Sequence, residues 1–253
     1  MERQEISRIA HRDHPVAAPL SDESVARLLA RVLRDRPAGR VVDLGCGEGA
    51  WLLRALAAHP ELRAVGVDLD AGALTAARSA AERLGVVRRL GLHHLDAGAF
   101  TDREPFDAVF CVGAAYAFGG LAPALAHIGG LLAPGGVALV GEAYWEGEPD
   151  ARAREWFGEG IADLPETVAR VTAAGWLPVA GHTSSRSELD AYEWAWTGSL
   201  ADWALDRPPG PEREQALTAS AAHREDWLTG YRSGFGFVTL ALRRSDPDVG
   251  GGR

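Results

Sequence analysis

Cysteine is scarce in this chain: Cys46 and Cys111 are the only two among 253 residues. Two thiols without metal-ligand spacing exclude a zinc ribbon or a disulfide-stapled scaffold. Both are expected at strand ends, as reduced thiols of a cytoplasmic protein. Positive charge is also thin. Twenty-six Lys and Arg stand against 35 Asp and Glu, a net charge of −9. The arginines are scattered among carboxylates, so no basic surface for nucleic acid is expected. No apolar run approaches the ~20 residues that a membrane-spanning helix needs. The first residues, MERQEISRIAHRDHPV, hold no apolar signal core. No internal repeat is visible. With 47% hydrophobic and 24% charged residues, what is left is globular composition, long enough for one well-cored domain.

The order of elements follows from hydrophobic periodicity. Residues 1–20 lack a strong period and read as an arm. Ser21 caps a helix whose apolar stripe is Val25, Leu28, Leu29, Val32 and Leu33. From residue 40 strands and helices alternate: strands at 40–44, 63–68, 89–95, 106–112 and 136–143, helices at 49–58, 71–84 and 120–132. That alternation predicts βαβ units on a parallel sheet. Pro134-Gly135-Gly136 is expected to end the last of these helices before the fifth strand. A helix at 164–174, a strand at 176–183, helices at 188–206 and 211–230 and a strand at 235–243 follow. The expected division is an arm and helix over 1–38, one domain over 39–243 with a helical insertion at 186–232, and a polar, disordered tail over 244–253.

Chemistry concentrates at the ends of the strands. The run VVDLGCGEGAW, residues 41–51, joins a strand to a helix through Gly45, Gly47 and Gly49. Glycines let the backbone turn tightly and approach a ligand, and the following helix offers its unpaired N–H groups. Gly45, Gly47 and Ala50 formally satisfy G-x-G-x-x-G/A, which would suit an NAD-dependent oxidoreductase. Asp43, however, stands just before the loop, where a carboxylate repels a pyrophosphate and suits a cationic cofactor. Asp68 comes 23 residues after Gly45, at the distance where a carboxylate meets a ribose hydroxyl pair. Asp70 reads as the cap of the next helix. Asp96 and Ala97 end the third strand, and Cys111 and Val112 end the fourth.

This set, Asp43 with its glycines, Asp68, Asp96, the Phe106-Asp107 strand start and Pro134-Gly135-Gly136, resembles the class I methyltransferases that use S-adenosylmethionine (SAM). The likeness is good over residues 40–143 and weaker in motif to 243. It implies an α/β fold with a doubly wound seven-stranded sheet and an antiparallel last strand. It also implies SAM as cofactor, with S-adenosylhomocysteine as its product. The residues it marks are Asp43, Gly45, Cys46 and Gly47 at the loop, Asp68 and Leu69 at the ribose, Asp96 and Ala97 at the adenine, and Cys111 and Val112 at the methionine half. The Asn/Asp-Pro-Pro-Tyr motif of amino- and DNA-directed relatives is absent, which argues against a DNA base as acceptor. A SAM-binding regulatory protein without catalysis is the other reading of the same motifs.

Aromatic residues crowd the second half. Trp51 is the only tryptophan among the first 140 residues, and seven follow it. Tyr116, Trp145, Tyr192, Trp194 and Trp196 are the candidates for lining a pocket for a planar or amine-containing small molecule. Trp196 and Trp203, seven apart, read as one helix stripe in a core. For removal of a proton from the acceptor, Glu142 ranks first, followed by His14 and Tyr144; Asp190, Glu193 and His11 are further candidates. A monomer or homodimer is expected.

Overall fold

The computed structural model describes residues 1–149, 153, 154, 157 and 160–245. Trp156 and residues 246–253 of the expected tail lie outside the described residues. The chain divides into two compact units, each built from several segments. One comprises residues 21–143, 164–183 and 238–253; the other comprises residues 1–20, 144–163 and 184–237. The first carries most of a sheet and is called the sheet unit; the second is called the aromatic unit.

In the sheet unit, strands β1 (Arg40–Leu44), β2 (Arg63–Asp68), β3 (Leu90–His94) and β4 (Phe106–Val112) pair in parallel with their neighbours. With β5 (Leu132–Trp145), β6 (Trp176–Thr183) and β7 (Phe235–Arg244) they form a seven-stranded sheet in the order β3-β2-β1-β4-β5-β7-β6. β7 runs antiparallel to β6. This is the sheet that the sequence predicts. The strand order reverses between β1 and β4, where ligands of such folds gather at the carboxyl ends of the strands.

Around the sheet lie α2 (Asp22–Leu33), α3 (Ala50–Ala58), α4 (Ala71–Arg83), α5 (Leu121–Leu131) and α6 (Leu164–Ala173). Ser21 caps α2 by accepting the Ser24 N–H at 3.1 Å, and the five apolar residues of its predicted stripe are all buried. Val41, Val42, Leu44, Leu52, Leu56, Phe106, Val109, Phe110, Leu125 and Ile128 are all fully enclosed. A side chain of that size contributes about 1.5–3 kcal/mol when buried.

Pro134-Gly135-Gly136 does not separate α5 from β5. Strand pairing begins at Leu132, opposite Phe106, and resumes at Val137, opposite Ala108. The Pro-Gly-Gly segment is a bulge inside the strand, with Gly135 at φ +74°, because proline has no N–H for the ladder and glycine accepts the left-handed turn.

The aromatic unit contains α1 (Arg3–Ala10), α7 (Arg186–Leu205) and α8 (Pro211–Asp226), followed by a π-helical turn at Trp227–Tyr231. The helix α1 lies in the segment expected as an arm. Ile6 and Ile9 pack against Leu200, Ala204 and Ala216 of α7 and α8, so the two residues that give α1 an apolar face are held by partners about 200 positions away. Trp145, Ala153, Trp227 and Tyr231 form a second core, joined by Phe157, Ile161 and Phe235.

Candidate active site

The sheet unit brings the predicted cofactor residues to one end of its strands. Asp43 is enclosed at the end of β1, only 2% exposed. The loop after it turns through three left-handed glycines: Gly45 at φ +84°, Gly47 at +52° and Gly49 at +74°. The N–H groups of Gly45 and Cys46 both donate to the Val67 carbonyl, at 2.8 and 3.0 Å. The Gly47 N–H donates to Asp68 Oδ2 at 2.7 Å, and the Asp70 N–H donates to Asp68 Oδ1 at 2.8 Å. The loop is thereby tied to the end of β2. A methyl group at Gly45 would stand 2.6 Å from the Ala114 Cβ beyond β4. Asp70 is a helix cap, as expected, accepting the N–H groups of Gly72 and Ala73.

Burial sets the electrostatics. It pushes the Asp43 carboxyl up to about 8, helped by the neighbouring Asp68 charge. Glu142, near the end of β5, is pushed up to about 7 by burial. Cys111 is pushed up to about 12 by burial, then by Asp43 and Glu142. Cys46 is raised for the same reason, with Asp43 and Asp68 adding to it. Both cysteines are free, buried thiols, and such an environment makes them inert.

The remaining strand ends supply surface for a ligand. Asp96 is exposed at the end of β3 and accepts the Gly98 N–H at 2.8 Å, while Ala97 is buried. His94 Nε2 donates to the Leu69 carbonyl at 2.9 Å, leaving the Leu69 side chain 56% exposed. A Cβ added at Gly47 or Gly113 would meet nothing within 4 Å. Open glycine backbone, an exposed leucine and three carboxylates (Asp43, Asp68 and Asp96) on consecutive strands fit a nucleoside with a cationic tail. Val112 is partly exposed at the end of β4. Tyr116 is 82% exposed on the short turn that follows.

In the aromatic unit the predicted residues part company. Trp145 is a core residue, edge-on to Phe157 and Phe235 with ring centroids 5.7 and 5.8 Å away. Trp194 is 53% exposed and stands edge-on to the buried Trp227 at 5.0 Å. Trp196 stacks on the His223 ring at 3.9 Å. The Tyr144 hydroxyl donates to Glu146 Oε1 at 3.3 Å; burial and the Glu146 charge raise its affinity for its proton. His14 Nε2 donates to the Ala18 carbonyl at 2.9 Å and lies edge-on to Tyr192 at 5.4 Å. Asp190 is held by two bonds from Arg232, at 2.9 and 2.7 Å.

One cluster surrounds Glu193, a further candidate base, with a histidine that the sequence did not single out as a site residue. Glu193, 7% exposed on α7, accepts from the Tyr231 hydroxyl at 3.0 Å and lies 2.7 Å from His223 Nε2. His223 was legible only as a helix-face residue: it follows the buried Ser220 by three positions and precedes the buried Trp227 by four. On the other side of Tyr192, His11 Nε2 lies 2.9 Å from the Tyr192 hydroxyl.

The chain is similar to known proteins along most of its length. A family model described as a methyltransferase domain matches residues 42–138. YjhP of Escherichia coli K12 is 36% identical over 247 residues, covering 96% of this chain and 99% of that protein. Trans-aconitate 2-methyltransferase of Methylobacterium nodulans is 32% identical over 209 residues, covering 81% of this chain and 72% of that enzyme. A SAM-dependent methyltransferase of Geobacter sulfurreducens, crystallised with S-adenosylhomocysteine, superposes with a TM-score of 0.86 at 27% identity, over 95% of this chain and 98% of that one.

Proposed function

Because the chain belongs to the class I SAM-dependent methyltransferases, we propose that it methylates a small molecule held by the aromatic unit. The observation that carries this reading is the set of aromatic and imidazole rings on α7 and α8: Tyr192, half-exposed Trp194, and Trp196 stacked on His223. Flat rings backed by a buried carboxylate, Glu193, suit a planar or amine-containing acceptor. The likeness to an enzyme named for a small organic acid supports the same class of acceptor.

When bound, the cofactor supplies an electrophilic methyl group on a sulfonium. The residues proposed to hold it are Asp43, Gly45, Cys46 and Gly47 on its cationic side, Asp68 and Leu69 at the ribose, Asp96 and Ala97 at the adenine, and Cys111 and Val112 beside its methionine half. Asp68 keeps lone pairs beyond those used by Gly47 and Asp70, so it can still accept from a hydroxyl pair. Glu142, titrating near neutrality, is proposed as a carboxyl that gives or takes a hydrogen toward a bound ligand. The protein is proposed to act in the cytoplasm, as a monomer or homodimer; no helix among the described residues is long and apolar enough to cross a membrane.

The test is an acceptor screen. The purified chain with SAM is offered phenols, amines and organic acids, and S-adenosylhomocysteine is measured by mass. Product with at least one small-molecule class is expected. Turnover with protein or RNA alone would sink the reading.

A further inference from the structure

We infer that Tyr192 and His11 form a proton relay for an acceptor that carries a weakly acidic O–H, a phenol or an enol. This rests on the reading that the aromatic unit holds the acceptor. His11 Nδ1 lies 2.7 Å from the Ser7 carbonyl. A carbonyl only accepts, so Nδ1 carries a hydrogen. In a neutral imidazole Nε2 then has only a lone pair. Nε2 lies 2.9 Å from the Tyr192 hydroxyl, so Tyr192 donates to it. A phenol whose hydrogen points into an imidazole keeps its oxygen lone pairs as acceptors for another hydrogen.

Burial holds His11 below its ordinary 6.5, opposed by the Ser7 carbonyl, which keeps the imidazole neutral above that pH. The titratable groups facing it are His14 from its own segment, Glu193 from α7 and His223 from α8. Of the next residues along, Arg12 pairs with Asp202, and Asp13 accepts from Ser199. Glu193, as a carboxylate, favours the imidazolium.

The step balances. The acceptor O–H bond breaks, its hydrogen joins Tyr192 Oη, and the Tyr192 hydrogen moves to His11 Nε2. The acceptor oxygen keeps the electron pair of the broken O–H bond and uses it to bond the methyl carbon, while the sulfur of the bound cofactor would take the pair of the sulfur–methyl bond that breaks. An imidazole can take a proton this way from a phenol or enol; an alkanol is too weak an acid, and a carboxylate needs no base. Tyr192 would be the catalytic residue and His11 the residue that positions and drains it.

Two measurements test this on the full chain. Nitrogen-15 NMR at about pH 8 should show His11 as the Nδ1–H tautomer; an Nε2–H tautomer overturns the relay. The second uses 4-nitrophenol, whose anion absorbs visible light. Bound to the protein, its ratio of anion to neutral form should exceed that of free dye at the same pH by about tenfold, one pKa unit. Tyr192→Phe should abolish the gain. His11→Gln should abolish it too, although glutamine still offers Tyr192 an oxygen acceptor and the melting temperature shows that the fold is kept. A gain that survives in His11→Gln, or failure of the dye to bind, overturns the proposal. Loss in Glu142→Gln with retention in His11→Gln would give the role to Glu142. The acceptor screen is independent: product formation there with a failed dye result removes the relay alone.

Discussion

Asp68 and Gly47 are joined by a 2.7 Å hydrogen bond from the glycine N–H to the aspartate Oδ2. One carboxylate at the end of β2 therefore shapes the glycine loop and stands where a ribose is expected. Asp68→Ala removes both functions. SAM binding measured by calorimetry should weaken at least tenfold, about 1.4 kcal/mol. An unchanged affinity would take Asp68 out of the site.

Asp43 gives a pH prediction with a definite sign. Its carboxyl is pushed from an ordinary 3.8 to about 8, first by burial and then by Asp68. A group with a raised folded pKa contributes stability that is fully present below the unfolded value and lost as pH rises through the folded one. The ligand-free chain should therefore lose stability between about pH 4 and pH 8. The Asp43→Asn variant cannot ionise there, so it should melt above the wild type at about pH 8.5, and the gap should narrow steadily as the pH falls toward about 4. Each 1 kcal/mol recovered corresponds to about 2–4 °C in a chain of this size. At about pH 8.5, where the wild-type carboxyl is ionised, saturating SAM should raise the melting temperature of the wild type more than that of the variant, because a neutral amide offers no charge to a cation. An equal gain in both would remove Asp43 from the cofactor's partners.

These two aspartates were readable in advance because strand ends and glycine turns are local features. The seven strands, the cap at Asp70 and the carboxylates at 43, 68 and 96 all follow from short-range pattern. Elements that depend on distant partners were not so readable. The two isoleucines of α1 pack on residues about 200 positions on. The bulge at Pro134 becomes visible only when Phe106 and Ala108 are laid beside β5. His223 gains meaning from Trp196 and Glu193 on another helix. Aromatic content likewise does not separate core from surface, since Trp227 is 2% exposed and its neighbour Trp194 is 53% exposed.

That pair makes a prediction by contrast. Trp227→Ala empties the centre of a core and should cost about 3–5 kcal/mol in denaturant unfolding. Trp194→Ala loses mainly its edge contact with Trp227, about 0.5–1.5 kcal/mol. If Trp194 meets the acceptor, its alanine variant should raise KM while SAM affinity stays at the wild-type value. A cost at Trp194 as large as that at Trp227 would make it a core residue, with no surface to offer a ligand.

Gly236 isolates steric fit from backbone strain. It lies at the start of β7 outside the left-handed region, so alanine is conformationally acceptable there. A methyl group at this position would nevertheless run into three ring carbons of Tyr144. Overpacking of this kind costs about 1–3 kcal/mol, and Gly236→Ala should be destabilised by that amount. In a Tyr144→Ala background the obstacle is gone, and the same substitution should cost nothing more. The two changes should therefore be strongly non-additive in a double-mutant cycle. Additive costs would mean that the Tyr144 ring is not held against β7, and the hydroxyl contact with Glu146 would lose its anchor with it.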